Sequence, residues 1–126
     1  IVKGSTLPIG ISGEIRPEIE GRYVIKVNRH DPERRQRFTV AHEIGHFLLH
    51  KNDIGDGLED DVLYRSGLSD RREAEANRLA ADILMPDHLV LEWVAKAKAL
   101  GVDDIVAYLA DKFQVSEAAM RIKLNY

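Results

Sequence analysis

Val40-Ala41-His42-Glu43-Ile44-Gly45-His46-Phe47 is the stretch that decides how the chain is read. It is H-E-x-x-H set in an apolar pattern of helical period. Residues four apart on an α-helix share a face, so His42 and His46 can aim two imidazoles at one point. A catalytic zinc ion takes two of its three protein ligands in that geometry. Glu43 is turned about 100° from His42. It stands beside the ion rather than on it, where a carboxylate can take a proton from water. Phe38, Ala41, Gly45, Leu48 and Leu49 are apolar or small, as a buried helix requires. Gly45 costs about 1 kcal/mol against Ala within a helix, which implies that something passes close to the backbone there. The bland alternative is a buried helix carrying two hydrogen-bonded histidines.

Composition bounds the rest. A chain of 126 residues has the usual size of one domain, and residues 1–126 are read as one. Its 44% hydrophobic content allows a compact core, and its 31% charged content gives a soluble surface. A net charge of −3 and a pI near 6.0 give no general case for binding nucleic acid or an anionic membrane. The absence of cysteine excludes disulfides and thiolate metal sites, and a reducing cytoplasm is the easier home. No apolar run approaches the roughly 20 residues that span a bilayer, and no signal peptide is visible.

Residues 1–30 read as β-structure. Ile9, Ile11, Ile15 and Ile19 are spaced among Gly and Pro breakers, and Tyr23-Val24-Ile25-Lys26-Val27 is a strong strand run. Glu20-Gly21 suits a hairpin turn between the two strands. Asp31 as N-cap, Pro32 at the first helical position and Glu33 then open the H-E-x-x-H helix, which runs to about His50 or Lys51. Arg34, Arg35 and Arg37 read as a solvated face. His50, about 80° round the helix from His42, is too far along the axis to share the ion and reads as a supporting residue. His30 and His88 have no partner at ligand spacing.

Residues 52–70 are loop-rich and acidic, but the spacing does not fit a calcium loop. Val62-Leu63-Tyr64-Arg65 within them suits a short edge strand, of the kind that can pair with an extended peptide. Asp70 and Glu73 resemble the two ends of a capping box. The helix they open should run from about residue 71 to Leu84 or Met85, stopping at Pro86, with Ala76, Leu79, Ala80 and Ile83 as its apolar stripe. It offers the third metal ligand from among Glu73, Glu75 and Asp82. Glu73 and Glu75 fall about 160° apart, on opposite flanks of the stripe, so periodicity does not choose between them. The capping role of Glu73 favours Glu75.

Two blocks then carry a resemblance. They are Arg37-Phe38-Thr39-Val40-Ala41-His42-Glu43-Ile44-Gly45-His46-Phe47-Leu48-Leu49-His50 and Glu75-Ala76-Asn77-Arg78-Leu79-Ala80-Ala81-Asp82-Ile83-Leu84-Met85-Pro86. In this order and at about this separation they resemble the ImmA/IrrE family of metallopeptidases. The resemblance implies a zincin-like α+β fold: a small β-sheet packed on the H-E-x-x-H helix, with further C-terminal helices. It implies His42, His46 and Glu75 as metal ligands and Glu43 as general base. It also implies a protein substrate, often a transcriptional repressor of the helix-turn-helix type, cleaved after stress or in mobile elements. Leu79 departs from the Phe of many relatives, which touches packing rather than chemistry. Zinc is the expected cofactor, though manganese or another divalent metal fits such ligands. Tyr64 and His88 are candidates for stabilising the oxyanion, and Asn77 for orienting the site or, preferably, a structural role.

The last third reads as helices over His88–Leu100, from Asp103 or Asp104 onward, and after Ser116. The last pair resembles a helix-turn-helix. From Val102 on, three basic residues (Lys112, Arg121, Lys123) face four acidic ones (Asp103, Asp104, Asp111, Glu117), and a DNA reader needs a basic excess. The expectation is therefore a cytoplasmic zinc endopeptidase with no direct nucleic-acid or membrane contact. The alternatives are a metal-holding module that docks a repressor without cleaving it, and a DNA-binding regulatory domain.

Overall fold

A computed structural model describes residues 1–61, 68 and 70–126. The architecture is α+β. Among the described residues there are four strands, β1 (Val2–Ser5), β2 (Ile11–Pro17), β3 (Tyr23–Asn28) and β4 (Leu58–Asp61). The helices are α1 (Glu33–Leu49), α2 (Asp70–Leu84), α3 (Asp87–Ala99), α4 (Ile105–Phe113) and α5 (Glu117–Leu124). The chain divides into two compact units, Ile1–Ala80 and Ala81–Tyr126.

The first unit is a mixed sheet in the order β1-β3-β2-β4. β2 and β3 form the expected antiparallel hairpin, closed by a turn in which Glu20 (φ 62°) and Gly21 (φ 74°) are both left-handed. β1 adds to β3 in parallel, and β4 adds to the free side of β2 in antiparallel. The acidic stretch read as loop thus contains a strand, Leu58-Glu59-Asp60-Asp61. Its residues are poor strand formers, and ladder bonds to β2 override that preference. The proposed strand at 62–65 lies outside the described residues.

α1 lies against β2 and β3. The residues it turns to the sheet are Val40, Ile44 and Phe47, which pack on a core of Ile15, Ile25, Val27, Ile54 and Leu58. Tyr23 and Phe47 meet edge to face at 5.2 Å. Leu48 and Leu49, expected to be buried, are exposed. The helix is also capped one residue later than expected: Pro32, with an extended ψ of 145°, holds the N-cap position.

The second unit is helical. Its buried cluster is wholly apolar: Met85, Val90, Val106, Leu109, Ala110, Val115 and Met120. Of the two residues expected to open α4, Asp104 is the cap, and Ser116 caps α5; they accept from the amides of Ala107 (3.0 Å) and Ala119 (3.1 Å). Trp93, the chain's single tryptophan, lies 6.4 Å from the Tyr108 ring, with the Lys96 ammonium 4.5 Å and the Lys112 ammonium 5.2 Å from its centre. Lys123 bridges Asp82 and Asp87 at 3.1 and 2.6 Å. No helix among the described residues is long and apolar enough to cross a membrane.

Candidate metal centre

The site is built in the first unit, where α1, β4 and α2 converge. Spacing of four residues on α1 sets His42 and His46 one turn apart on the same buried face, their ring centres 4.5 Å apart. β4 contributes Asp60, which is fully buried. α2 contributes Glu73. One donor atom from each of His42, His46, Asp60 and Glu73 can be chosen so that all lie within 4.8 Å of one another. Glu73 straddles the two rings: one oxygen is 2.9 Å from His46 Nε2 and the other 3.4 Å from His42 Nε2. Asp60 Oδ2 is 3.3 Å from His42 Nε2 and 3.7 Å from His46 Nε2.

Two glycines make this convergence possible. A Cβ at Gly45 would lie 3.1 Å from the Ala76 carbonyl oxygen and 3.2 Å from the Ala76 Cα. Helices α1 and α2 approach backbone to backbone there, the close approach that Gly45 implied. A Cβ at Gly13 on β2 would collide with the Thr39 methyl and sit 3.4 Å from a Glu43 oxygen. Gly13 therefore lets the sheet close over Glu43.

The carboxylate of α2 that reaches the imidazoles is Glu73, not the expected Glu75. Glu73 shares a helix face with Ala76 and Ala80, three and seven residues on, and all three are buried. That face is turned to α1. Glu75, about 160° away on the helix, reaches His50 instead, its oxygen 3.1 Å from His50 Nε2. The first turn also begins at Asp70 itself, so the capping-box reading misdirected the choice between the two acids.

A second layer orients both rings. His42 Nδ1 is 2.8 Å from Asn77 Oδ1, so this nitrogen carries the hydrogen and donates it. His46 Nδ1 is 3.0 Å from His50 Nδ1. With His50 Nε2 donating to Glu75, His50 Nδ1 accepts and His46 Nδ1 donates. When neutral, both α1 histidines then present an unprotonated Nε2 to the shared point, the tautomer a metal ligand needs. Asn77, read as structural, is placed to orient His42. Glu75 and His50 are placed to orient His46. His88 is exposed on α3 in the second unit, and Tyr64 lies outside the described residues.

The donors fit a divalent cation. His46 Nε2, both Asp60 oxygens and both Glu43 oxygens are buried and make no hydrogen bond of good geometry. Lone pairs crowded in a buried space demand protons or a cation between them. Tetrahedral zinc with bonds of about 2.0–2.1 Å holds its donors about 3.3 Å apart, close to the Glu73–histidine separations. Without a cation, protons answer the demand. Burial pushes the His42 pKa down, but Asp60 and Glu73 outweigh it and raise it to about 9. Glu43 is raised well above the carboxylate range, first by burial, then by Asp60, Glu73 and Glu14. Sequence reading missed Asp60. Its signal was alternation with buried Leu58 two residues earlier on the strand. The apolar hollow of about 400 Å³ beside α1, lined by Ile15, Tyr23, Ile25, Ile44 and Phe47 among others, includes none of the four donors.

Comparison with known proteins gives the family. The family model of the IrrE N-terminal-like domain, a peptidase family, matches residues 10–125. The radiation response metalloprotease IrrE of Deinococcus radiodurans is 35% identical over 123 residues, covering 90% of this chain and 33% of that protein. An uncharacterized immunity region protein 2 of Bacillus phage phi105 is 27% identical over 95 residues, covering 75% of this chain and 56% of the phage protein. The matches thus span about a third and just over half of these relatives' lengths. With a two-histidine, two-carboxylate centre at its core and the match running almost from end to end, the chain belongs to the IrrE N-terminal-like family of metallopeptidases.

Proposed function

We propose that the protein is a metal-dependent endopeptidase in which His42, His46 and Glu73 hold one divalent ion and Glu43 moves the proton. The observation that carries this reading is the buried convergence of the two histidines and Glu73, with Glu43 fully buried against Asp60 beside them. The ion, when bound, supplies Lewis acidity towards water and towards a scissile carbonyl. Glu43 accepts a proton from the attacking water and returns it to the leaving amine. Asn77 and the His50–Glu75 pair hold the two imidazoles in the tautomer the ion requires. Zinc is the default; two imidazoles with carboxylates also suit manganese, iron or cobalt.

The substrate is a protein, and a helix-turn-helix repressor in the cytoplasm is the proposed target. Two relatives, a radiation response metalloprotease and a protein of a phage immunity region, support a proteolytic role in a stress or immunity response. The test is incubation with a candidate repressor, with and without chelator, for wild type and Glu43→Gln. Cleavage is expected only in wild type with metal. Cleavage by Glu43→Gln at the wild-type rate would refute the role given to that residue. A repressor that binds the chain but stays whole under every condition would leave a docking module in place of an enzyme.

A further inference from the structure

We propose that Asp60 is a fourth protein donor to the same ion, so that the resting site is closed and Asp60 must yield before water or substrate reaches the metal. The inference rests on the metallopeptidase reading above and adds a regulatory step to it. A hydrolytic site of this kind needs three protein donors and one open position. The position left by His42, His46 and Glu73 is where Asp60 points. Its Oδ2 lies 3.3 and 3.7 Å from the two Nε2 atoms, matching the roughly 3.3 Å between donors around a tetrahedral zinc. Asp60 is fully buried, neither of its oxygens makes a hydrogen bond of good geometry, and its near polar neighbours include the His42 ring and the Glu43 carboxyl. A carboxylate buried in that state is costly unless it meets a cation.

The strand that carries Asp60 is suited to release it. β4 has four residues, lies at the edge of the sheet and pairs only with β2 among the described strands. Its register slips between Ile11 and Gly13, opposite Asp61 and Asp60. An edge strand with one ladder and a bulge at the critical residue costs less to displace than any interior element.

The full chain, freed of metal, is titrated with Co²⁺ while its visible absorption is followed, for wild type, Asp60→Asn, Asp60→Ala and His46→Ala. Each loaded protein is then titrated with acetohydroxamate, which needs a vacant coordination position. Wild type should give the intense spectrum of a four-coordinate site. Both Asp60 variants should lose at least about tenfold in Co²⁺ affinity, change the spectrum and bind the hydroxamate more tightly. Asp60→Asn keeps the shape of the side chain and carries the test if the alanine variant does not fold. Unchanged affinity, spectrum and hydroxamate binding overturn the proposal. So does a fall in affinity with an unchanged spectrum, because Asp60 would then act only as a nearby charge. If wild type takes up no Co²⁺, or His46→Ala binds it equally well, the metal reading itself fails. If His46→Ala loses the ion while Asp60→Asn behaves as wild type, only the role of Asp60 is refuted.

Discussion

Both units bury an apolar cluster, but among the described residues only the first also buries polar side chains. In Ala81–Tyr126 the buried cluster holds only aliphatic residues and methionine. In Ile1–Ala80 the interior also holds Ser12, Glu14, Asn28, Thr39, His42, Glu43, His46, His50, Asp60 and Glu73, which are all of the buried polar side chains among the described residues. An apolar core is stable by itself. A core of imidazoles and carboxylates is stable only while something neutralises and bonds them. The first unit therefore accepts a weaker interior in exchange for a reactive one, and its stability is tied to what it binds.

The largest effect that would break this contrast is expected at His46. His46→Ala should lower metal affinity by more than the roughly 100-fold that outer-layer changes cause, as measured by competition with a chromogenic chelator, and should abolish cleavage. An intact affinity would mean that the polar core is not a metal site. Leu109→Ala tests the other side. It removes a fully buried side chain of the aliphatic cluster and should cost about 2–5 kcal/mol in urea unfolding. Metal affinity under native conditions should stay at the wild-type value.

The stability of the metal-free protein and the stabilisation that metal adds should change with pH in opposite directions. In the free protein His42 has its pKa raised from 6.5 to about 9, so its stabilising contribution is complete below pH 6.5 and is lost as pH rises through 9. Glu43, also raised, acts in the same direction. The melting temperature of the metal-free protein should therefore fall from pH 6.5 to 9. The increase in melting temperature on adding metal should grow over the same interval, since the ion requires deprotonated donors. A flat profile for the metal-free protein would contradict the crowding of charge at the site.

A smaller effect is expected at Asn77. Asn77→Ala leaves His42 Nδ1 without its acceptor and should lower metal affinity about 10- to 100-fold with little change in helix content. The smallest effect concerns the helix contact. Gly45→Ala improves helix propensity by about 1 kcal/mol, yet should destabilise the fold slightly, because the new methyl presses on the Ala76 backbone. A more stable Gly45→Ala protein would show that α1 and α2 can separate there without penalty.

What could be read in advance followed the range of the interaction. His42, Glu43 and His46 sit on one helix, and local geometry alone sets them together. The caps at Asp104 and Ser116 and the hairpin turn at Glu20-Gly21 were equally local. The choice between Glu73 and Glu75 was not. Both flank the same apolar stripe, and only the approach of Gly45 to Ala76 settles which flank meets the histidines. Asp60 was harder still. Its strand has unfavourable composition and exists through pairing with β2, a partner more than forty positions earlier.

Trp93 has a practical consequence. The chain has one indole, and it stands in the unit whose buried cluster is apolar, bracketed by two lysine ammonium groups. Its emission reports melting of that unit directly, and quenching by iodide, an anion drawn towards those lysines, measures how open its surroundings become. Loading of the histidine centre must be followed by another signal, so each half of the molecule has its own optical window.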